Sequence, residues 1–304
     1  MIGVDVGGTS IKIGAVSGRE VFGKTSFPTP GSDVEKIADE IAHTINKLAV
    51  QTGAELIGIG MPGIIDSEKG RVVYSNNIAV TDVPLCEMIK ARTGFASYMI
   101  NDANAAALAE WKFGAGSGTQ NLVMFTLGTG VGCGSVINGM PPASGQTYLV
   151  AGGHIIVREG GRKCTCGSRG CLEAYASATA LIADTKTRLK KQTSLLTGKE
   201  LNAKVIFEAE EAGDKVAKAA VSKYISYLAA GIASVYNLLF PEVFVLGGGV
   251  SNAGKKFIDR VTQEVRTKIY SKQDADKIII RSAVMGNDAG IVGAAVYAKM
   301  REKQ

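Results

Sequence analysis

Apolar residues along this chain recur with two periods, one typical of strands and one typical of helices. Short apolar runs at "IGVDVGG", "SIKIGAV", "EVFGKTSF", "ELIGIGMPG", "ASYMIND" and "EVFVLGGGV" predict strands, and several of them end at glycine. From Asp33 to Thr52 the apolar residues return at helical spacing, and Ser32 or Asp33 can cap that helix. Further helices are predicted over residues 103–114, 214–240, 251–270 and 288–302. Strands separated by helices predict an α/β fold with a mainly parallel sheet.

The same pattern occurs twice along the chain. "VDVGGTSIKIGAV" aligns with "FTLGTGVGCGSVI", and both read as a strand, a glycine turn and a second strand of small residues. An internal repeat of this kind predicts two similar lobes that close over one ligand. Glycine and polar residues at 113–121 mark the boundary. We predict an N-terminal α/β lobe over 1–116 and a C-terminal α/β lobe over 117–287.

Composition excludes several classes of protein. The chain has 304 residues, of which 46% are hydrophobic and 20% charged, as in soluble globular proteins. Its net charge of +6 comes without a Lys/Arg stripe interleaved with aromatic residues, and "KTRLKK" at 186–191 is typical of a solvated helix face. We therefore expect no nucleic-acid partner, and a mildly basic surface that suits anionic small molecules.

The cellular location is predicted from what the sequence begins with and from its thiols. Met1 runs directly into "IGVDVGG" without a basic leader, and no apolar run approaches the roughly 20 residues that span a bilayer. The odd number of cysteines, 5, argues against a disulfide framework and favours a reducing compartment. We expect a cytoplasmic protein without membrane contact.

The first glycine turn, "DVGGTSIK", has the residues of a phosphate site. Gly7 and Gly8 let the backbone approach a phosphate closely, so that successive N–H groups can bind it. Thr9 can donate to a terminal phosphate, Lys12 can supply positive charge, and Asp5 can hold Mg²⁺ through water. The turn lacks the GK[ST] ending of a Walker loop. The alternative is a tight hairpin without a ligand.

Two later turns repeat this chemistry. "LGTGVGCG" predicts a second phosphate clamp, and "LGGGVSNAG" follows a strand at a place where glycines let the chain pass under a flat ligand. The residues concerned are Gly128, Thr129, Gly130, Gly247, Gly248 and Gly249. The spacing is not G-x-G-x-x-G, which argues against a dinucleotide site. The alternative for the 128–130 turn is a hairpin that tolerates glycine and binds nothing.

A cluster of thiols predicts a metal site. Cys164, Cys166 and Cys171 form C-x-C-x4-C, and His154 precedes the first by ten residues. Three thiolates and an imidazole make a closed tetrahedral site suited to structural Zn²⁺, which organises a protein rather than catalysing. We expect it to hold His154 and Glu173 in place. The alternative, free buried thiols, does not require clustering.

Asp102 is the predicted catalytic base. It stands where the strand "ASYMIN" ends and a helix begins, and α/β folds bind ligands at such strand ends. The alternative is a helix N-cap, but Asn101 and Asn104 can also cap. With phosphate turns on either side in the sequence, Asp102 is the best candidate to accept a proton from an attacking hydroxyl in phosphoryl transfer.

Taken together, the motifs resemble the ROK family of sugar kinases and repressors in the actin-like ATPase superfamily, over nearly the whole chain. The motifs that carry the resemblance are "DVGGTSIK", "GIGMPGIID", "NDANAAALAE", "LGTGVGCG", "GHIIVREGGRKCTCGSRGCLEAYAS", "VLGGGVSNAG" and "GNDAGIVGAA". Residues 246–295 are similar to the bacterial ATP-dependent glucokinases of this family. The resemblance implies a two-lobed actin-like (hexokinase/ROK) α/β fold with a structural zinc site, in which the helix at 288–304 packs back on the first lobe.

The resemblance also implies an activity and its residues. ATP would lie between the turns at 7–9 and 128–130, with adenosine near Gly247–Gly249, and Asp102 would activate the 6-hydroxyl of a hexose. The simplest reaction is D-glucose to glucose 6-phosphate, with ATP and Mg²⁺, in a homodimer or homotetramer. The implied sugar-binding residues are Gly63, Asn77, Asn101, Asp102, His154 and Glu173.

One departure from the family leaves the choice of sugar open. Glucokinases of the family usually carry Glu three residues before the zinc histidine, where this chain has Ala151. Gln146 or Tyr148 can take over its hydrogen bonds, or the site can admit N-acetylmannosamine, N-acetylglucosamine or fructose instead. A sugar sensor without catalysis is a further alternative. A DNA-binding regulator of the family is not expected. It would need a helix-turn-helix of several dozen residues before the first glycine turn, and Asp5 already belongs to that turn.

Overall fold

The computed structural model describes residues 1–142 and 147–303, and for residues 147–150 it describes the backbone alone. These residues form two compact units. The first contains residues 1–124, 134–142, 147–150 and 284–303, and the second contains residues 125–133 and 151–283. The predicted domains, 1–116 and 117–287, stay a prediction.

The strands and helices alternate along much of the chain, as predicted. The strands are β1 (Ile2–Val6), β2 (Ser10–Ser17), β3 (Glu20–Pro28), β4 (Leu56–Met61), β5 (Ile64–Asp66), β6 (Arg71–Ser75), β7 (Val80–Val83), β8 (Ala96–Asn101), β9 (Leu122–Leu127), β10 (Val131–Val136), β11 (Val243–Gly247) and β12 (Ile280–Ser282). The helices are α1 (Val34–Thr52), α2 (Leu85–Thr93), α3 (Asp102–Phe113), α4 (Glu173–Ala176), α5 (Ala178–Leu189), α6 (Ala203–Glu211), α7 (Lys215–Leu239), α8 (Lys255–Lys268) and α9 (Ala289–Glu302).

The sheet of the first unit is mixed, so the prediction of a mainly parallel sheet is wrong for half of it. Its strand order is β3-β2-β1-β4-β8. The β1–β4 and β4–β8 pairs are parallel, whereas β1–β2 and β2–β3 are antiparallel. The physical reason is the length of the connections: short turns join β1 to β2 and β2 to β3, and a short turn can join only antiparallel neighbours.

A second sheet has the order β10-β9-β11-β12, which matches β2-β1-β4-β8 of the first sheet strand for strand. The internal repeat seen in the sequence is therefore also present in the topology. A third, antiparallel sheet has the order β5-β6-β7 and was not predicted. Its strands are only three to five residues long, too short to show a clear apolar period.

Local capping chemistry explains where several helices begin and end. Asp33 caps α1 by accepting a hydrogen bond from the backbone N–H of Lys36, and Gly53 ends the helix in the left-handed conformation at φ 67°. The helix predicted over 251–270 begins later, at Lys255, because residues 249–253 form a 3₁₀ turn.

The last helix, α9, packs inside the first unit against α3 and against strands β1 and β4. Glycines make this close packing possible. A Cβ at Gly58 of β4 would lie 1.9 Å from the carbonyl oxygen of Ala294, and one at Gly3 of β1 would lie 2.0 Å from that of Ile291. Within residues 1–142 and 147–303, no helix has both the length and the apolar character needed to cross a membrane.

Candidate active site and metal centre

The backbone of the turn between β1 and β2 is fixed by three hydrogen bonds, two of which come from Thr29. The Gly7 N–H donates to the Ser10 carbonyl at 2.9 Å, and the Thr29 hydroxyl donates to the Gly7 carbonyl at 2.6 Å. The Thr29 N–H in turn donates to the Thr9 carbonyl at 3.1 Å. Gly8 and Thr9 themselves are exposed. The Gly7 N–H is thus used within the turn, whereas the Thr9 side chain is exposed, and the phosphate site stays a prediction. Thr29 is a brace that the sequence did not reveal.

Asp5 lies near the end of β1, beside this turn. Its Oδ2 atom is 3.4 Å from the Nζ atom of Lys12, the residue directly across the β1–β2 pair. Burial raises the pKa of Asp5, although the charge of Lys12 opposes that shift. The carboxylate therefore lies in a site that stabilises it poorly when unliganded, and a cation would relieve that cost.

Asp102 is the first residue of α3, and Asn101 is the residue that caps this helix. The Asn101 side chain accepts hydrogen bonds from the N–H groups of Ala103 and Asn104, so the N-cap interpretation of Asp102 is wrong. Burial raises the pKa of Asp102 to about 6, and the negative charge of Asp5 adds to the shift. A carboxyl with this pKa is ionised at neutral pH yet basic enough to accept a proton.

The structure brings three predicted sugar-binding residues of the first unit near Asp102 and the glycine turn. The Asn101 amide donates to the Gly63 carbonyl at 3.1 Å. Gly63 has φ 113°, and a Cβ there would lie 2.2 Å from the Tyr74 carbonyl oxygen, so only glycine fits. Asn77 is exposed, and its carbonyl oxygen would lie 3.3 Å from a Cβ at Gly8.

The 128–130 turn of the second unit is fixed by the start of α5. The Ala178 N–H donates to the Gly128 carbonyl at 2.8 Å, and the Thr179 hydroxyl donates to the Thr129 carbonyl at 2.9 Å. Both carbonyl groups are therefore directed to the helix, and the Thr129 side chain stays exposed. The turn resembles the 7–9 turn in having its carbonyl groups bound by neighbouring donors.

The 247–249 turn lies next to the end of β9. Gly248 has φ 82°, and a Cβ there would lie 2.5 Å from the Leu127 carbonyl oxygen. Because Leu127 directly precedes Gly128, the two glycine turns of the second unit are neighbours. Gly248 and Gly249 are exposed, whereas Gly247 is buried at the end of β11.

A cavity of about 800 Å³ opens beside the 247–249 turn, inside the second unit. It lies among α6, α8 and the 3₁₀ turn that follows β11. Residues that line it include Lys204, Phe207, Gly249, Asn252, Lys256 and Phe257. The sequence pointed to the glycine turn but not to α6, which supplies the opposite wall.

The four predicted metal ligands converge in the second unit. The ligand atoms of His154, Cys164, Cys166 and Cys171 all lie within 4.8 Å of one another. The Sγ atom of Cys164 is 3.6 Å from Nδ1 of His154, and the Sγ atoms of Cys166 and Cys171 are 3.7 Å apart.

These distances fit a tetrahedral zinc site. With Zn–S bonds of about 2.3 Å, neighbouring sulfur atoms of a tetrahedron lie about 3.8 Å apart. Burial raises the pKa of Cys171, so its thiolate requires a neighbouring cation. The donor set, three thiols and one imidazole, is one that zinc prefers. The side chains present therefore fit zinc in number, type and spacing.

Glu173 connects this Cys3His cluster to the 128–130 turn. Its Oε2 atom accepts a hydrogen bond from the Val131 N–H at 3.0 Å, and a Cβ at Gly130 would lie 2.4 Å from the same oxygen. Its Oε1 atom accepts from the Thr165 hydroxyl at 3.0 Å, within the cysteine loop. The sequence predicted that the metal loop fixes Glu173; the contact with the glycine turn is an addition from the structure.

Arg162 braces the cysteine loop and was missed by sequence reasoning. Its guanidinium donates to the Ala174 carbonyl at 3.1 Å and to the Asp184 carboxylate at 2.9 Å. Burial would raise the pKa of Asp184, yet ion pairs, with Lys223 first among them, lower it overall. The only sequence signal was the position of Arg162 two residues before Cys164.

Ala151, the position that left the choice of sugar open, is exposed. The two residues after it are fixed by close packing: a Cβ at Gly152 would lie 2.5 Å from the Cys133 sulfur, and one at Gly153 would lie 2.0 Å from the Val131 carbonyl oxygen. Gln146 lies outside the described residues, as does the side chain of Tyr148, so their predicted compensation stays a prediction.

Comparisons with known proteins agree with this description. The glucokinase of Halalkalibacterium halodurans is 37% identical, and the aligned region covers 99% of this chain and 95% of that protein. The structure of the ROK hexokinase from Thermus thermophilus has a TM-score of 0.86 at 32% identity, covering 100% of this chain and 99% of that one.

A ROK family glucokinase from Streptomyces griseus, solved in complex with glucose and AMPPNP, has a TM-score of 0.82 at 33% identity, with 99% of each chain covered. The family relation is independent of any single relative, because the sequence model of the ROK family matches residues 1–301. On this evidence the chain belongs to the ROK family.

Proposed function

We propose that the protein transfers the γ-phosphoryl group of ATP to the 6-hydroxyl of a hexose, in the first place D-glucose. The observation that carries the proposal is Asp102, a carboxyl with a pKa of about 6 in the same unit as Asp5 and the 7–9 turn. The similar proteins named glucokinase and hexokinase support it, and they agree with the prediction of an ATP-dependent sugar kinase.

Nucleotide binding is assigned to backbone groups and to the cavity of the second unit. The N–H groups of Gly7 and Gly128 donate to carbonyls of their own turns, so phosphate oxygens accept from the other N–H groups at 8–9 and 129–130. Thr9 and Thr129 add exposed hydroxyls. The adenosine lies in the 800 Å³ cavity, where Gly249 leaves the base room and Phe207 and Phe257 offer apolar surface.

Asp5 suits Mg²⁺ bound through water, because it is an oxygen donor whose burial favours a nearby cation. When bound, Mg²⁺ neutralises charge on the phosphates of the nucleotide. The Nζ atom of Lys12 lies 3.4 Å from the Oδ2 atom of Asp5 and supplies a positive charge beside it. This chain thus provides both the carboxylate and its counter-charge within one strand pair.

The chemical step needs one proton acceptor. Asp102 takes the proton of the sugar 6-hydroxyl as that oxygen forms a bond to the γ-phosphorus, while the bond to the bridging oxygen breaks and ADP leaves. The residues assigned to the other sugar hydroxyls are Gly63, Asn77, Asn101, His154 and Glu173. His154 directs Nδ1 to Cys164, which leaves Nε2 available for sugar.

Zinc at the Cys3His cluster is proposed as a structural ion. It would be held by His154, Cys164, Cys166 and Cys171 and would fix the loop that carries His154 and Glu173. The thiols must remain unoxidised to bind it, which supports the expected cytoplasmic location. The expected homodimer or homotetramer stays a prediction.

The activity should fall as the pH falls through about 6, because Asp102 must be ionised to accept a proton and its raised pKa is about 6. Since the base form predominates above that value, kcat/KM should be level from about pH 7 upward and should decrease tenfold for each unit below about pH 5. The profile of kcat/KM for glucose between pH 4.5 and 8 tests this. A profile that stays level down to pH 5 would contradict the assignment of Asp102.

Replacing Ala151 with glutamate should improve glucose binding. A hydrogen bond to a charged acceptor is worth about 1.5–3 kcal/mol, so the KM for glucose should fall about tenfold to a hundredfold. Steady-state kinetics of Ala151→Glu and the matched control Ala151→Gln, which has no charge, measure the effect. An unchanged KM in Ala151→Glu would show that this position does not reach the sugar.

The test of the proposed function is a coupled ADP-release assay with ATP, Mg²⁺ and a panel of sugars. We expect D-glucose to have the highest kcat/KM. The second candidate is a ROK kinase for another hexose. Ala151 favours it, because alanine is smaller than glutamate and can leave space for a substituent on the sugar. Faster turnover of N-acetylmannosamine, N-acetylglucosamine or fructose would establish that candidate, and no sugar-dependent ADP release with any of them would indicate a sensor.

A further inference from the structure

Glu110 is a buried charge that the proposed mechanism does not use. Its side chain is 0% exposed, near the end of α3. Its Oε2 atom accepts a hydrogen bond from the Ala115 N–H at 2.8 Å, and its Oε1 atom accepts from the N–H groups of Val284 and Met285, both at 2.8 Å. A buried carboxylate costs free energy unless it is hydrogen-bonded, and here backbone donors from two separate segments satisfy it.

The segment held by Glu110 leads directly into α9. Val284 lies 174 residues from Glu110 in the sequence and is the first residue of the chain's return to the first unit. Met285 precedes a single 3₁₀ turn, after which α9 begins at Ala289. Because two consecutive N–H groups donate to one oxygen atom, the direction of this segment is fixed relative to α3.

The start of α9 lies against Asp5. A Cβ at Gly290 would lie 2.6 Å from Cγ of Asp5, and 2.7 and 3.0 Å from its two carboxylate oxygens. The Asp5 side chain therefore rests directly on the helix backbone at a position where no side chain fits. A small movement of the start of α9, or one added methyl group at Gly290, would displace the Asp5 carboxylate.

We propose that Glu110 is a positioning residue for phosphoryl transfer. It fixes the start of α9, and Gly290 in that helix places the Asp5 carboxylate where it meets the Mg²⁺–nucleotide. Helix α3 thus has the catalytic base, Asp102, at one end and this anchor near the other. The inference rests on the proposed function, because the role of Asp5 toward Mg²⁺ comes from it.

The direct test is Gly290→Ala. This substitution leaves Glu110 in place, and alanine has a higher helix propensity than glycine. Calorimetry measures the affinity for AMPPNP with Mg²⁺ and with EDTA, and the ratio of the two is the gain due to Mg²⁺. We expect Gly290→Ala to lose at least fivefold of this gain and at least tenfold in kcat. The variant should remain folded, and its glucose dissociation constant should stay within twofold of the wild type.

Glu110→Gln tests the anchor itself, because its amide keeps only one acceptor oxygen. That oxygen can accept from the Ala115 N–H or from those of Val284 and Met285, but not from both segments. It should lower the melting temperature and also reproduce the loss of Mg²⁺-dependent affinity. The matched control is Val296→Ala, a buried change farther along α9. That variant should lower the melting temperature and leave the Mg²⁺-dependent gain within twofold of the wild type.

The outcomes separate this inference from the proposed function. A wild-type protein with neither sugar phosphorylation nor a Mg²⁺-dependent gain would overturn both. An active wild type whose gain is unchanged in Gly290→Ala would overturn the inference alone, whether or not Glu110→Gln folds. Equal effects of Glu110→Gln and Val296→Ala on melting temperature, with no effect on the gain, would reduce Glu110 to a structural role.

Discussion

Replacing Asp102 with asparagine is expected to lower kcat about a thousandfold, the effect typical of removing a general base. The amide has the same shape, and its oxygen can still accept the hydrogen bond that the Asp102 carboxylate accepts from the Ala103 N–H at 2.8 Å. The variant should therefore stay folded and bind glucose within about threefold of the wild type. Single-turnover kinetics with saturating ATP and Mg²⁺ measure the chemical step, and calorimetry measures the glucose affinity.

The matched control for this experiment is Asp33→Asn. It makes the same chemical change at another helix start of the first unit, where the side chain accepts a hydrogen bond from the Lys36 N–H at 3.1 Å. Its kcat should stay within twofold of the wild type. An Asp102→Asn protein that retains more than about a tenth of the wild-type kcat would show that another group takes the proton.

Replacing Cys166 with serine is expected to have the second largest effect. Serine is a poor ligand for zinc, so the zinc content should fall well below one per chain. The site's binding free energy is also folding free energy, and a loss of about 3–4 kcal/mol would lower the melting temperature by about 10 °C. Metal analysis and thermal unfolding monitored by circular dichroism measure both quantities.

The kinetic effect of Cys166→Ser follows from the contacts of Glu173. This residue joins the cysteine loop, through Thr165, to the 128–130 turn, through Val131. The KM values for glucose and for ATP should therefore both rise, about tenfold for glucose, whereas kcat should fall less than in Asp102→Asn. The matched control is Cys86→Ser, a buried thiol of the first unit that is not in the Cys3His cluster. Wild-type kinetics in a zinc-free, folded protein would refute the structural role of the metal.

The sequence predicted those parts of the site whose signal is local. The spacing of Cys164, Cys166 and Cys171 indicated a metal site because three ligands lie within one loop, and the structure places them and His154 together. The position of Asp102 at a strand end was also local information. Its raised pKa was not, because that shift depends on burial and on Asp5, which is far away in the sequence.

The parts that the sequence could not reveal depend on contacts between distant segments. Thr29 bonds to Gly7 across 22 residues, and Glu110 bonds to Val284 across 174 residues, and neither belongs to a motif. The β5–β7 sheet was missed for another reason. Its strands are short. Ala79 and Asp82 also have positive φ values of 57° and 56°, and this backbone conformation is not predicted from an alanine or an aspartate in the sequence.

The most direct measurement is a crystal structure of this protein with glucose, Mg²⁺ and a non-hydrolysable ATP analogue. We expect a carboxylate oxygen of Asp102 at about 2.6–3.2 Å from O6 of the sugar, the distance at which a base can accept its proton. A sugar bound with O6 more than about 5 Å from Asp102, or with another hydroxyl facing that side chain, would contradict the assignment of the base.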